Sequence, residues 1–430
     1  MKFVSTRGQS PVANLSEALR NGAAPDGGLY MPEAVPAAGE LDPDAPLHEF
    51  AAQLLKPYFE GDPLATELSE ICAEAFDFDV PLVTPDPQQP GLHALELFHG
   101  PTGAFKDFGA RFLMGCFDRL ADGEPLNVLV ATSGDTGGAV GCAAEKRSSV
   151  RATILFPHGR VSPFQERQLT CWGDNVQALD VDGDFDDCQH LVKAAFADAE
   201  MAAEHRLTSA NSINFGRLLP QLAYNARAIL QVYARTSVEP GIVVPSGNLG
   251  QGFSILLAQA MGLPVGPVVL ATNANRTLKD WRDTGTYAAR PSLETLANAM
   301  DVGNPSNFER VAAFGIEPDD VQVELVTDEQ IRARITADYR QSGYVWCPHS
   351  ATAAEAYARL SDEQQTERPW IVAATAHPYK FADVVEPLIG AKIEPTPALA
   401  KIYERSTRKL EISADLGSLE GALRGRMAVA

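Results

Sequence analysis

A lysine, two glycine-rich turns, a basic turn and a strand-end hydroxyl are the parts of this 430-residue chain whose types and spacing could do chemistry. In LELFHGPTGAFKDFGARFL, residues 95–113, Lys106 stands between Phe105 and Asp107, with further aromatics at Phe108 and Phe112. An amine among aromatic side chains can shed its ammonium proton through desolvation and become a nucleophile or base. Phe105, Phe108, Phe112, Leu113, Cys116, Phe117 and Leu120 recur at steps of three and four, which predicts an amphipathic helix. Lys106 lies one position from that stripe. The local pattern therefore allows both a snorkelling surface lysine and one held at the edge of a buried cleft.

Four other stretches carry donors. PSGNLGQG, residues 245–252, follows the apolar run 242–244 and precedes a helical pattern, so its successive N–H groups can cradle a phosphate or simply make a tight strand-to-helix turn. It matches neither a Walker A loop nor a G-x-G-x-x-G fingerprint. TSGDTGG, 132–138, offers hydroxyls and N–H groups suited to a substrate carboxylate, or plain capping by Ser133 or Asp135. NSINFGR, 211–217, combines Asn211, Ser212 and Arg217, an anion site or else a helix cap followed by a solvated arginine. TAHP, 375–378, closes the apolar run 371–374, so the Thr375 hydroxyl falls where it could meet a ring nitrogen; His377 reads as a base or as a turn residue. Together, an amine, a phosphate cradle, a carboxylate turn and a strand-end hydroxyl are the parts a pyridoxal phosphate enzyme requires.

These turns need strands before them and helices behind them. NVLVATSGDTGGAVGCAAEK reads as a strand near 127–131, a turn and a helix, and RATILFPHGRVSPFQERQ as a strand, a loop and a helix capped by Ser162 with Pro163 at its first position. NVQALDVDGDFDDCQHLVKAAF, GIVVPSGNLGQGFSILLAQAMG and PWIVAATAHPYKFADVVEPLIG repeat the unit. Such alternation predicts an α/β protein with open, mostly parallel sheets covered by helices on both faces, and ligands gather beyond the carboxyl ends of such strands. Residues 1–95, with acidic proline-rich pieces between 41 and 91, read as an N-terminal domain. The remainder divides into a smaller α/β substrate-loop domain, 96–210, and a larger α/β cofactor domain, 211–430.

Composition sets the outer limits. Hydrophobic residues at 45% and charged residues at 21% fit an ordinary globular protein. The opening MKFVSTRGQSPVANL has neither an apolar signal core nor a transit pattern, and no stretch has the apolar length of a membrane span, so a cytoplasmic location is expected. A net charge of -21 repels nucleic acid and anionic membranes. An anionic substrate would then need a local cluster of donors. The six cysteines and eight histidines lack metal-ligand spacings, and no metal is expected.

FHGPTGAFKDFGARF, ATSGDTGGAV, SANSINFGRLLPQ, VPSGNLG and TAHPYKF, in this order, together with the opening STRGQSPVANLSEALRNGAAPDGGLYMPE, resemble the threonine synthase family of the long-chain bacterial and fungal type. The resemblance implies a fold-type II (tryptophan synthase β-like) pyridoxal phosphate enzyme that turns O-phospho-L-homoserine and water into L-threonine and phosphate, working as a monomer. It implies Lys106 as the Schiff-base lysine and proton shuttle, Gly247, Asn248, Leu249 and Gly250 on the cofactor phosphate, Thr375 at the ring nitrogen and Asp135 near the cofactor 3-oxygen. Ser133 and Thr136 would hold the amino acid carboxylate, and Asn211, Ser212 and Arg217 the substrate phosphate. Gly103, Leu249 and Gln251 depart from the commoner residues of the family. The competing readings are a phospholyase giving a 2-oxo acid and ammonia, and a non-catalytic binding protein on the same scaffold.

Overall fold

A computed structural model describes residues 1–132 and 134–427. In chain order its strands are β1 Phe3–Ser5, β2 Tyr30–Pro32, β3 Leu82–Val83, β4 Leu92–Glu96, β5 Leu126–Ala131, β6 Val150–Pro157 and β7 Val176–Asp182. They continue with β8 Leu207–Thr208, β9 Gly241–Pro245, β10 Val268–Thr272, β11 Gln322–Leu325, β12 Trp370–Ala374 and β13 Leu410–Ser413. One sheet has the order β11-β10-β9-β12-β4-β3, parallel throughout except for the short edge strand β3. A second, β13-β7-β6-β5-β8, is wholly parallel. The residues of β5, β9, β10 and β12 are buried along their whole length, which is what strands covered by helices on both faces require. The α/β reading holds.

The sheets cut across the expected division at 95 and 210. β3 and most of β4 fall before residue 96, yet β4 pairs with β12 over five residues in the six-stranded sheet. At the other end, β13 returns from the C-terminal third to pair with β7 in the five-stranded sheet.

Local sequence accounts for the elements that matter. Ser162 accepts from the Gln165 N–H and Pro163 opens the helix Pro163–Thr170, as the capping pattern predicts. The apolar stripe that begins at Phe105 becomes the helix Lys106–Leu120, with Phe108, Phe112, Leu113, Cys116 and Phe117 fully buried. The N-terminal helices close over it: Phe59 meets Phe112 edge-on at 6.1 Å and Phe76 lies 5.8 Å from Phe108. Phe3 of β1 and Tyr58 both meet Phe215, at 5.1 and 6.0 Å, so the same unit also props the segment that leads into Arg217. Among the described residues, no helix is long and apolar enough to cross a membrane.

Candidate active site

Lys106 is aimed by the backbone ahead of it. After β4 the chain folds back along the exit of β12, with Leu97 N–H on the Ala374 carbonyl at 2.9 Å, Phe105 N–H on Thr375 at 2.8 Å and His377 N–H on Gly103 at 2.9 Å. Gly103 makes this turn at φ +68°, where a glycine carries no Cβ penalty. A Cβ there would stand 3.1 Å from Leu399 Cδ1, so a bulkier residue would disturb both the turn and the C-terminal packing. The result sets Lys106 on the first turn of its helix, one residue beyond a hydrogen bond to Thr375.

The amine is not a solvated one. Its Nζ lies 4.9 Å from the Phe105 ring centroid, and among the described residues it has no ion-pair or hydrogen-bond partner. Burial pushes its pKa down from the ordinary lysine value; Arg217 and Lys380 add to that, while Asp135 and Cys347 oppose it. Lys106 is half-buried, which fits a lysine held at the edge of a cleft.

Asp135, on the glycine-rich turn after β5, is buried and ion-paired to Lys380 at 3.1 Å. The helix start is capped by Thr132, whose Oγ1 accepts from the Gly134 and Gly137 N–H groups at 3.0 Å each, so the Asp135 carboxylate is not used as a cap. Despite its burial, Asp135 is held well below the usual carboxylate range, chiefly by the charge of Lys380 and also by a hydrogen bond from Gln165. Thr136 follows it, half-buried, on the same turn. Ser133 lies outside the described residues.

The turn after β9 carries the four expected cradle residues. Among the described residues, the N–H groups of Gly247, Asn248, Leu249 and Gly250 donate to no protein acceptor. Leu249 adopts φ +63°, a left-handed cap that begins the helix Gly250–Ala260. Successive unpaired N–H groups on such a turn form an anion nest. Gln251 is buried with both amide atoms unpartnered; where a carboxylate would oppose an anion in the nest, the glutamine is neutral. Gly247 is packed so that a Cβ would meet Met300 Cα at 3.0 Å and the Ala299 carbonyl at 3.1 Å.

Asn211 and Ser212 lie beside this cradle. The Asn307 side-chain amide donates to the carbonyls of Ser212 (3.2 Å) and Asn248 (2.9 Å), tying the two segments together. Arg217 is not a solvated arginine: it is 4% exposed, its Nη1 donates to the Ala210 carbonyl at 2.5 Å, and its buried Nε has no partner. It presses on the lysine helix, where a Cβ at Gly109 would sit 2.6 Å from Nε. Burial pushes the Arg217 pKa down to about 10. Its side chain makes no hydrogen bond to those of Asn211 or Ser212.

Thr375 ends β12 as expected. Its N–H donates to Ser350 Oγ at 2.9 Å, its carbonyl accepts from Phe105, and its hydroxyl is bonded to none of the described residues. His377 caps the following turn by accepting from the Tyr379 N–H at 3.3 Å, the turn-residue reading.

Sequence reasoning missed Lys380 and His349. Lys380 is buried, donates to the Thr102 carbonyl (2.7 Å) and Gln168 Oε1 (2.6 Å), and is ion-paired with Asp135. His349 accepts from the Ala299 N–H at Nε2 (3.1 Å), which leaves the proton on a buried, unpartnered Nδ1; burial pushes its pKa down to about 4, against the pull of Asp135. Lys380 stood within the TAHPYKF stretch, but a buried lysine and a solvated one have the same local pattern.

The free N–H nest, the Lys106 amine whose ammonium form burial disfavours and the unbonded Thr375 hydroxyl together fit a phosphorylated pyridine aldehyde. The fold and site define a pyridoxal-phosphate-dependent enzyme, and residues 80–375 match the family model for pyridoxal-phosphate dependent enzymes. Residues 2–76 match the threonine synthase N terminus and 350–422 the threonine synthase C-terminal model. The chain is 36% identical to threonine synthase from Serratia marcescens over 99% of both proteins. The crystal structure of threonine synthase from Escherichia coli superposes with a TM-score of 0.90 at 33% identity, covering 99% of this chain and 100% of that one. A pyridoxal-phosphate-bound threonine synthase from Brucella melitensis gives 0.89 at 34% identity, covering 99% of each. The chain belongs to the threonine synthase family.

Proposed function

We propose that this chain converts O-phospho-L-homoserine and water into L-threonine and phosphate, with Lys106 as its proton-transfer group. The observation that carries the assignment is a lysine amine that is unpaired among the described residues and feels Arg217, in a fold that also offers a separate turn of free N–H groups at 247–250. A substrate phosphate and a cofactor phosphate call for two anion-binding features.

The N–H groups of Gly247, Asn248, Leu249 and Gly250 would hold the phosphate of pyridoxal phosphate, with Thr375 serving its ring nitrogen and Asp135 its 3-oxygen. When bound, the cofactor supplies an electron sink for carbanions at the substrate Cα and Cβ. Lys106, whose ammonium form burial disfavours, removes the Cα proton in its neutral form. Ser133 and Thr136 orient the substrate carboxylate. Asn211, Ser212 and Arg217 hold the phosphate that leaves from Cγ once a Cβ proton is lost, and Arg217 balances its charge as the C–O bond breaks. Lys106 is the group within the site able to return a proton, so Cγ gains hydrogen while the oxygen of water is added at Cβ. The protein works in the cytoplasm as a monomer, its N-terminal unit bracing the lysine helix against the two sheets.

The test is direct. Purified protein loaded with pyridoxal phosphate and reduced with borohydride should carry one pyridoxyl adduct, mapped to Lys106. With O-phospho-L-homoserine it should release threonine and phosphate in equal amounts. An adduct on another lysine removes the site assignment; 2-oxobutyrate and ammonia in place of threonine make it a phospholyase.

A further inference from the structure

A buried lysine and a half-buried one lie near a single carboxylate in this site. Lys380 Nζ donates to Gln168 Oε1 at 2.6 Å and the Thr102 carbonyl at 2.7 Å and forms an ion pair with Asp135 Oδ1 at 3.1 Å, and its side chain is wholly buried. Asp135 Oδ1 also accepts from Gln165 Nε2 at 3.2 Å. Lys106 is close enough to feel Asp135, yet it has no partner among the described residues. The carboxylate already has its cation.

We propose that Lys380 is a positioning residue that keeps Lys106 reactive: by occupying Asp135 in a buried ion pair, it denies Lys106 the carboxylate that would otherwise hold it as an ammonium. The proposal rests on Lys106 being the reacting amine. Its physical basis is competition. A buried carboxylate next to a single lysine takes that lysine as its ion-pair partner, because the intrinsic lysine and aspartate values, about 10.4 and 3.9, place the shared proton on the amine. A second lysine, fixed by two further acceptors, resolves the competition in favour of one amine and leaves the other unpaired. Gln168 and Thr102 give Lys380 that advantage, since Lys106 has neither.

The other charged groups around the two amines agree with this arrangement. Arg217, reaching across from the 211–217 segment, disfavours the Lys106 ammonium, and Cys347, before the helix Pro348–Ala358, weakly favours it. His349 on that helix feels Asp135, Lys106 and Lys380 and stays neutral. Asp107 lies next to Thr102 and feels Lys380, but its oxygens are taken by the Thr102 N–H at 2.9 Å and hydroxyl at 2.6 Å. His377 feels Lys380 as a repulsion. Asp135 is thus the carboxylate over which the two lysines compete.

The experiment reads the Lys106 amine without cofactor or substrate. The full chain, stripped of pyridoxal phosphate, is labelled with trace acetic anhydride across a pH series, and acetylation of Lys106 is quantified by mass spectrometry. Lys380→Met should move the midpoint of Lys106 labelling up by at least about one pH unit, so that below the wild-type midpoint about tenfold less of the amine is reactive. Lys380→Arg, which keeps the charge, should restore the wild-type midpoint. Removing the contested carboxylate in Lys380→Met/Asp135→Asn should bring it back down. A folded Lys380→Met protein with an unmoved midpoint overturns the proposal, as does a double variant no lower than Lys380→Met. If Lys380→Met does not fold, Asp135→Asn alone decides: its Lys106 midpoint should fall, and a rise or no change overturns the proposal. Threonine production by the wild-type holoenzyme is measured independently, so failure here leaves the assigned reaction standing.

Discussion

Replacing Arg217 with methionine should separate stability from activity. Among the described residues, the guanidinium makes a single hydrogen bond, Nη1 to the Ala210 carbonyl, and buries its Nε with no partner. Its pKa is pushed down to about 10 from 12.5, and at about 1.36 kcal/mol per unit this corresponds to a burial penalty on the order of 3 kcal/mol. One charge-assisted hydrogen bond returns about 1.5–3 kcal/mol, so the residue contributes almost nothing to folding. Methionine of similar length should leave the unfolding free energy within about 1 kcal/mol of wild type, or raise it. The substrate phosphate is another matter. If the orphaned Nε and a neighbouring guanidinium N–H each make a charge-assisted bond to it, losing both costs about 3–6 kcal/mol, or roughly 10²–10⁴ in kcat/KM. Urea unfolding of the unliganded protein and steady-state phosphate release measure the two arms. A variant that loses more than about 2 kcal/mol of stability would make Arg217 a structural residue. One that stays folded and turns over at nearly the wild-type rate would remove it from the substrate site.

Arg310 is the opposite case and should respond oppositely. It is fully buried and makes four bonds, Nε and Nη2 to the Tyr30 carbonyl at 3.2 and 3.1 Å, Nη1 to Asn307 Oδ1 at 2.5 Å and Nη2 to the Ile213 carbonyl at 2.5 Å. It therefore fastens the N-terminal ribbon to the segments that carry the phosphate cradle, and Arg310→Leu should cost about 3–5 kcal/mol in urea unfolding; a change under about 1 kcal/mol would refute that role. Acid should reveal His349. Its folded pKa is about 4, against about 6.5 in the unfolded chain, so the unfolded state binds the proton first as pH falls. The contribution is intact above about 6.5 and is lost between there and 4, on the order of 3 kcal/mol. His377, also held at about 4, acts in the same direction, whereas Asp301, pushed up to about 6, gains a proton in the fold and works against them. The readout is therefore the difference between wild type and His349→Gln: the variant should lose less stability from pH 7 to pH 4, and parallel profiles would contradict it.

How much of this could be read in the sequence depended on whether the deciding force was local. The strand-turn-helix units were legible because continuous apolar runs ending in glycine leave few alternatives, and Ser162-Pro163 fixed a helix start that the structure keeps. The site positions were legible as types at strand ends. What local pattern could not supply was burial. Lys106 reads equally well as a snorkelling residue, and Arg217 as a solvated one, until helices from residues 47–75 and the 97–105 loop close around them. The sheet boundaries were hidden for the same reason: β4 is a short apolar run whose partner, β12, lies more than 270 residues away, and only pairing assigns it to a sheet.

The two missed residues show what kind of information such a site withholds. Lys380 and His349 do not announce chemistry by their neighbours in sequence; each is defined by what it satisfies across the fold. Lys380 draws its three partners from the turn after β5, the helix Pro163–Thr170 and the loop before Lys106. His349 is fixed by an N–H from the 298–302 loop that packs on Gly247. The lysine loop, the carboxylate turn and the phosphate nest are thereby linked by buried polar groups rather than by apolar packing alone. Apolar contacts tolerate small displacements, whereas a buried ammonium held by two hydrogen bonds and an ion pair does not. The relative placement of Lys106 and Asp135 is held by the groups whose geometry is least forgiving, and a reaction that asks one amine to move several protons needs that placement.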